Sequence, residues 1–163
     1  MRYIIVMFFA LTSVTCSAYA QRQTVAQTKA PSANSDSPDV RKAVNAFISA
    51  FNNLEWEEFR LSFTDDATVF FPFQHAPRRA DGRAEVEAVF KPFFDAGRKQ
   101  KPNPPYLNIE PKDVKIQRLR DVAVVTFHLE GGDAVGRRTV VFQKQRGRWL
   151  IAHLSASSMA KPK

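Results

Sequence analysis

Residues 38–53 read PDVRKAVNAFISAFNN, and this stretch decides where the folded domain begins. Its large apolar side chains recur every three or four residues, at Val40, Val44, Phe47, Ile48 and Phe51. That spacing predicts a helix with one buried face. Ser37-Pro38 is typical of a helix start, with Ser at the N-cap and Pro in the first turn, and Asn52-Asn53 ends the pattern.

The sequence after this helix predicts a second, short helix and then a strand. Trp56, Phe59 and Phe63 recur at helical spacing and share one face. Thr64-Asp65-Asp66 predicts a turn, and residues 67–73 (ATVFFPF) are typical of a strand that closes at a proline. Residues 74–80 (QHAPRRA) are interpreted as a basic loop.

A third helix is predicted to open at Asp81-Gly82. Its apolar side chains again follow helical spacing, at Val86, Val89, Phe90, Phe93 and Phe94. We expect Pro92 to bend or end the last turn, because proline removes a backbone hydrogen bond. Gly97 is the expected C-terminal cap.

The remainder of the chain predicts four antiparallel strands, over residues 106–117, 121–130, 137–145 and 148–157. The chain is therefore an α+β domain in which about three N-terminal helices pack on a strongly curved antiparallel β-sheet. A curved sheet wrapped over a long helix encloses a conical pocket, and such pockets are the usual ligand sites.

The N-terminus predicts export. Arg2 precedes an apolar stretch over residues 3–14, and Ala18-Tyr19-Ala20 matches a signal-peptide cleavage site. We therefore expect residues 1–20 to be a signal peptide cleaved after Ala20, giving a periplasmic or secreted protein with no integral membrane span. An uncleaved anchor or a buried helix is the alternative, and lipidation of Cys16 is disfavoured because Ser13 stands where leucine is usual. Residues 21–37 are interpreted as a disordered spacer, 38–158 as the folded domain and 159–163 as a tail.

Composition excludes several classes of site. The chain has 163 residues, one cysteine, and 24 Lys+Arg against 16 Asp+Glu, for a net charge of +8. One cysteine excludes a disulfide framework and a cysteine-rich zinc site. The basic residues attract anions in general, but no aromatic-basic repeat indicates nucleic acid, which we do not expect as a partner. Arg83 or Arg137-Arg138 at a pocket mouth would suit a carboxylate.

Four stretches together resemble the NTF2-like superfamily, specifically its SnoaL-like and DUF4440-type members, over about residues 39–158. They are residues 46–53 with Trp56 and Phe59, residues 63–69 running into Pro72, residues 81–86 and residues 147–153. The resemblance implies a cone-shaped fold, commonly dimeric through the outer face of its sheet. Members of this superfamily include small-molecule enzymes and non-catalytic binding modules, so the fold alone does not settle the activity.

Ketosteroid-isomerase chemistry is not expected. That branch requires a tyrosine, a base carboxylate and a second acid around an apolar site. The resemblance aligns Phe47 with the tyrosine and Phe71 with the base, and the chain has no Asp or Glu after Asp133. Whether the protein is an enzyme at all stays open at this stage.

The histidines give one catalytic candidate. By two-residue alternation, His153 shares a strand face with Trp149, Ile151 and Ser155, which directs it at the pocket. Its alternatives are a polar pocket group, a catalytic acid/base and a purely structural histidine. No metal-ligand spacing is present, and we expect neither a metal nor a cofactor.

The sequence thus predicts an exported, homodimeric SnoaL-like protein that binds a small hydrophobic molecule in its pocket. Two alternatives remain, an isomerase, cyclase or dehydratase-like enzyme using His153 and a protein-interaction module assembling through the outer sheet face. The predicted pocket residues are Phe47, Phe51, Trp56, Phe71, Phe73, His75, Phe90, Phe94, Phe127, Trp149, His153 and Ser155.

Overall fold

The structure is a computed structural model that describes residues 37–72 and 78–161. The predicted signal peptide, nearly all of the predicted spacer, Phe73, His75 and the last two residues lie outside the described residues. The helices are α1 (Pro38–Asn52), α2 (Trp56–Arg60) and α3 (Arg83–Gln100). The strands are β1 (Phe63–Phe70), β2 (Ala80–Asp81), β3 (Lys112–Leu119), β4 (Val122–Gly131), β5 (Ala134–Gln145) and β6 (Arg148–Ala160).

The six strands form one mixed sheet in the order β2-β1-β6-β5-β4-β3. The last four strands are an antiparallel meander, as predicted, while β1 pairs in parallel with β6. The α+β class and the curved sheet with helices on one face are as predicted from the sequence. No helix among the described residues is long and apolar enough to span a membrane.

The core lies between the helices and the inner face of the sheet. Helix α1 buries Val40, Val44, Phe47 and Ala50, the face that the apolar spacing predicts. The same core cluster contains fully buried aromatic rings from α2, β1, α3 and β5: Phe59, Phe63, Phe94 and Phe142. Burial of apolar area on this scale supplies most of the favourable free energy of folding.

Strand β6 contains a bulge that decides which side chains face the core. Ile151 pairs with Phe142 and His153 pairs with Val141, so Ala152 is an extra residue without a partner on β5. An extra residue in a strand reverses the in-and-out alternation beyond it. Trp149 and Ile151 before the bulge are buried, and after it the buried side chains are Leu154 and Ala156.

The predicted course of α2 and β1 is wrong in one respect. Phe63 was predicted on the second helix, with a turn over residues 64–66, but α2 ends at Arg60 and Phe63 begins β1. Phe63 pairs with Ile151, and the next pair is Thr68 with His153. The polar residues that resemble a turn are accommodated in this irregular stretch of the strand.

Helix α3 differs from the prediction at Pro92 and at Gly97. It continues unbroken through Pro92 to Gln100, and Phe94 beyond the proline is buried against Phe51 of α1 and Phe59 of α2, which holds the last turns of the helix in the core. Gly97 is not the cap, which is Lys101. A Cβ at Gly97 would lie 2.7 Å from Leu54 Cδ1, so this glycine permits close packing between α3 and the turn after α1.

The segment before β3 is held by the end of α1 rather than by the sheet. A strand was predicted from residue 106, but β3 begins at Lys112. The Asn52 side chain bonds both backbone groups of Ile109, with Nδ2 donating to the carbonyl at 2.9 Å and Oδ1 accepting from the amide at 2.8 Å. The Asn52 carbonyl accepts from the amides of Tyr106 and Leu107.

Candidate functional site

An apolar cavity of about 110 Å³ lies between the helices and the inner face of the sheet. Its wall is almost entirely aromatic and aliphatic, and Arg138 is the one charged residue among those described that line it. The lining residues are Phe47, Ile48, Phe51, Phe59, Phe71, Pro72, Phe90, Ile109, Phe127, Leu129, Arg138, Leu154 and Ala156.

The helices contribute a continuous group of stacked rings to the cavity wall. Phe47 and Phe51 stand one helical turn apart on α1, and both pack on Phe59 of α2 with centroids 5.5 and 5.4 Å apart. Phe90 of α3 meets Phe59 edge-on at 4.8 Å. Such ring contacts are stabilising beyond the area they bury, so the helices hold this side of the cavity together by direct packing.

The sheet contributes aliphatic side chains, one ring and one cation. Phe127 pairs with Arg138 across β4 and β5, and Arg138 pairs with Ala156 across β5 and β6. Directly paired residues in adjacent strands point to the same face of a sheet, so all three face inward. Leu129 and Leu154 lie two residues from members of this row and share its face.

Arg138 is held by backbone carbonyls alone. Its Nη1 donates to the carbonyl of Arg137 at 2.9 Å and to that of Ser157 at 3.2 Å. Burial lowers the pKa of the Arg138 guanidinium, but an arginine keeps its charge at neutral pH. No carboxylate of the described chain forms an ion pair with it. A cation without a counterion therefore faces an apolar cavity.

Five of the predicted pocket residues lie on the cavity wall: Phe47, Phe51, Phe71, Phe90 and Phe127. Phe73 and His75 are outside the described residues. Phe47 and Phe71, which the resemblance aligns with the hydroxyl and the carboxylate of the isomerase branch, both line the cavity. Whether these residues contact a ligand remains a prediction.

His153 and Ser155 do not line the cavity, because the bulge at Ala152 turns both to the outer face of the sheet. His153 pairs with Val141 and Ser155 with Thr139, while the cavity residues Leu154 and Ala156 alternate with them. His153 Nδ1 lies 2.7 Å from Thr68 Oγ1, and its ring packs edge-on against Phe70. The expectation that His153 shares a face with Trp149 and Ile151 is therefore wrong.

Three further predicted pocket residues pack elsewhere. Trp149 is buried away from this cavity, and its Nε1 donates to Asp39 Oδ2 at 2.9 Å near the start of α1. Trp56 and Phe94 pack on each other with ring centroids 5.3 Å apart and lie behind the wall residue Phe59, so they do not line the cavity themselves. Aromatic spacing identified these residues as buried, but it did not separate cavity wall from solid core.

The sequence reasoning did not select several wall residues. Leu154 and Ala156 were missed because the bulge reverses the strand alternation, and Ile109 because Asn52 rather than a strand positions it. Leu129 was within reach of sequence reasoning, since it lies two residues from Phe127 on a predicted strand. Arg138 was named with Arg137 and Arg83 as a partner for a carboxylate at the pocket mouth, but not among the wall residues; of these three, Arg138 alone lines the cavity, and Arg83 pairs with Asp65.

The described wall offers little for acid–base chemistry. No Asp, Glu or His is among the described residues that line the cavity, and Glu110 and Glu130 are exposed. Within the described ranges, no group of three or more His, Cys, Asp or Glu could hold a metal ion. What the arrangement can do is enclose an apolar group and place one positive charge beside it.

Comparison with protein families gives one match over most of the chain. The model of the SnoaL-like domain matches residues 40–161, which covers the whole of the described sheet and the three helices apart from the first two residues of α1. No curated protein matches the sequence significantly.

Solved structures share the fold at low sequence identity. A candidate dehydratase of the NTF2-like family from Streptomyces avermitilis is 20% identical, with a TM-score of 0.60 over 74% of this chain and 94% of that chain. An NTF2-like protein of unknown function from Pseudomonas putida KT2440 is 16% identical, with a TM-score of 0.59 over 72% and 82%. The CaMKII hub of S. rosetta is 22% identical, with a TM-score of 0.59 over 76% and 98%. At these identities the likeness shows the fold alone.

Proposed function

This chain belongs to the SnoaL-like domain family, and we propose that it binds a small hydrophobic molecule in the cavity between its helices and its sheet. The observation that carries the proposal is the cavity wall, which is lined by aromatic and aliphatic side chains and left unfilled by them. Cores normally pack to the density of organic crystals, so an unfilled apolar space costs stability. A site that retains this cost is a good candidate for ligand binding.

The size of the cavity limits the ligand. An apolar cavity of roughly 150 Å³ is enough to hold benzene, and this one measures about 110 Å³. We therefore expect the enclosed part of the ligand to be about one small ring or a short alkyl chain. A larger molecule requires the helices to move or must leave part of itself outside.

Binding without catalysis is the favoured activity. General acid–base chemistry requires a titratable group within hydrogen-bond reach of the bound molecule. His153, the catalytic candidate from the sequence, lies on the outer sheet face and contacts Thr68 instead. Among the described residues, no acid or base on the cavity wall replaces His153, so the enzyme alternative has no named base.

Assembly through the outer sheet face is a second proposed property, favoured by a specific observation. Phe70, Leu119 and Met159 are exposed by 41%, 52% and 46%, and each pairs with an outer-face residue of the neighbouring strand. These large apolar side chains span the sheet from β1 to β3, and half-buried valines lie between them. An exposed apolar sheet face is typical of an interface, and we infer that a second copy of this chain covers it.

The cavity proposal is tested by native mass spectrometry of the protein expressed from its whole sequence in an exporting host. We expect a discrete added mass on the wild type and none on Ala156→Leu, because the larger side chain fills the cavity opposite Arg138. Filling should also raise the free energy of unfolding by about 1 kcal/mol. Ala96→Leu, on an exposed position of α3, is the matched control and should keep the added mass.

Two outcomes contradict a tightly held cavity ligand: an added mass that Ala156→Leu retains, or none on either protein.

The same spectrum tests export, which we propose from the N-terminal sequence. We expect the polypeptide mass to correspond to a chain that begins at Gln21, and a mass that includes residues 1–20 would contradict cleavage after Ala20.

A further inference from the structure

Arg138 places a positive charge on a cavity wall that is otherwise apolar. Arg138 is half-buried, so the apolar wall removes part of the hydration of its guanidinium, and a partner of opposite charge would replace it. Nη1 donates to two backbone carbonyls, whereas Nε and Nη2 have no hydrogen-bond acceptor among the described residues. The donors left over are those with which an arginine binds a carboxylate side-on.

The packing around Arg138 leaves room for its guanidinium. Gly136 precedes it by two residues on the same strand face and pairs with Leu129 of β4. A Cβ at Gly136 would lie 3.1 Å from Arg138 Nη1 and 3.5 Å from Leu129 Cβ. A side chain at position 136 would therefore require the Arg138 guanidinium to shift by a few tenths of an ångström, and glycine leaves the group its present position.

The net charge of the described wall suits a ligand with a single negative charge. Arg138 is the one charged residue among the described wall residues, and no described acid competes for it. A single arginine balances a carboxylate and leaves a dianionic phosphate half-neutralised in an apolar space. The rest of the wall accepts only an apolar group.

We propose that the cavity takes a small apolar monocarboxylate, whose ring or short chain lies among Phe47, Phe59 and Phe127 and whose carboxylate pairs with Nε and Nη2 of Arg138. This inference deepens the proposed function and rests on it, since it assigns the chemical class of the molecule bound in the same cavity.

The test compares an acid with its neutral isostere. Calorimetric titration of the whole protein uses phenylacetate against phenylacetamide, and hexanoate against hexanamide. We expect each acid to bind the wild type at least about tenfold more tightly than its amide, because a charge-assisted bidentate pair replaces a neutral hydrogen bond.

Variants at two neighbouring arginines locate the effect. Arg138→Met should bind the acid no better than the amide, while affinity for the amide stays within about twofold of wild type. Arg137→Met removes the same charge from the exposed outer face and should keep the preference for the acid. If Arg138→Met fails to fold, Arg138→Lys serves instead, and it should retain part of the preference because lysine keeps the charge without the planar fork.

The outcomes separate this inference from the proposed function. Equal binding of acid and amide by the wild type, or an undiminished preference in Arg138→Met, overturns the assignment of the carboxylate and leaves an apolar-ligand site standing. A preference lost equally in Arg137→Met shows attraction to the basic surface alone and also overturns it. If neither the acids nor the amides bind, the proposed function fails together with the inference.

Discussion

Asp39 is the residue that joins the start of α1 to the sheet. Its carboxylate accepts hydrogen bonds from the Ser37 hydroxyl and from Trp149 Nε1, and Arg118 lies 3.3 Å away. Arg118 also stands over the Trp149 ring, 5.2 Å from its centroid. Ser37 stands at the N-cap of α1, as predicted, and its hydroxyl donates to Asp39 rather than to a backbone amide of the helix. One carboxylate thus fixes where α1, and with it Phe47 and Phe51, sits on the sheet.

Replacement of Asp39 should therefore destabilise the fold. We expect Asp39→Ala to lower the free energy of unfolding at pH 7 by about 1–2 kcal/mol, because the buried Trp149 indole loses its acceptor. Asp39→Asn keeps an oxygen acceptor and should cost less. Urea unfolding of the three proteins measures both differences, and equal stability of Asp39→Ala and wild type would contradict this role.

The contribution of Asp39 should depend on pH at the acid end. The Ser37 hydroxyl first, then Trp149 and the Arg118 charge, hold the pKa of Asp39 well below its ordinary value, against the opposing effect of burial. A carboxyl with a lowered pKa stabilises the fold above its unfolded pKa of about 3.9, and this contribution disappears as pH falls through the folded pKa. The difference in unfolding free energy between wild type and Asp39→Asn should shrink below about pH 4. A difference that stays constant down to pH 2 contradicts the carboxylate as its source.

Among the elements, the irregular segment between α3 and β3 owes its position to the end of α1. Asn52 holds it through both backbone groups of Ile109 and through the amides of Tyr106 and Leu107. Ile109 lies on the cavity wall as a result. The cavity is thus closed on this side by hydrogen bonds to one asparagine rather than by sheet pairing.

Loss of the Asn52 side chain should loosen this wall. We expect Asn52→Ala to lower the free energy of unfolding by about 1–2 kcal/mol, since two hydrogen bonds disappear. Amide exchange at Ile109 should also accelerate. Asn53→Ala is the matched control, because the hydrogen bonds of that side chain are 3.4 and 3.5 Å long and exposed, and we expect it to be nearly neutral. Unchanged exchange at Ile109 in Asn52→Ala would contradict the account.

Sequence periodicity identified the three helices and the meander, because helix faces and strand pairs repeat at fixed spacings that burial enforces. The same reasoning failed where one residue breaks the repeat. The extra residue Ala152 sends His153 outward and Leu154 inward, and no local pattern marks it. The role of Asn52 and the inward charge of Arg138 depend on contacts between residues distant in sequence, which a local pattern does not contain.

At the scale of the whole molecule, the sheet separates two surfaces with different properties. Its inner face and the helices enclose the cavity. Its outer face carries Phe70, Leu119 and Met159, exposed by 41% or more. We have assigned the first surface to a small molecule and the second to another copy of the chain, so each can be altered without touching the other.

Charged substitutions test whether the protein assembles through the outer face of its sheet. We expect the wild type to be a dimer in sedimentation equilibrium and the double variant Phe70→Glu/Met159→Glu to be a monomer, because two buried carboxylates per copy would oppose association. Phe93→Glu is the matched control, since Phe93 is equally exposed but lies on α3. A monomeric wild type, or a double variant that still dimerises, contradicts assembly through this face.

The central claim is that the inner cavity binds small apolar molecules. The most direct test is methyl NMR of the whole protein titrated with hexanamide, a neutral probe whose binding does not depend on Arg138. We expect the methyl signals of Ile48, Ile109 and Leu154 to shift together and saturably, while those of the outer-face residues Val124 and Val141 stay in place. Cavity methyls that do not respond, or a response confined to the outer-face valines, would contradict the claim.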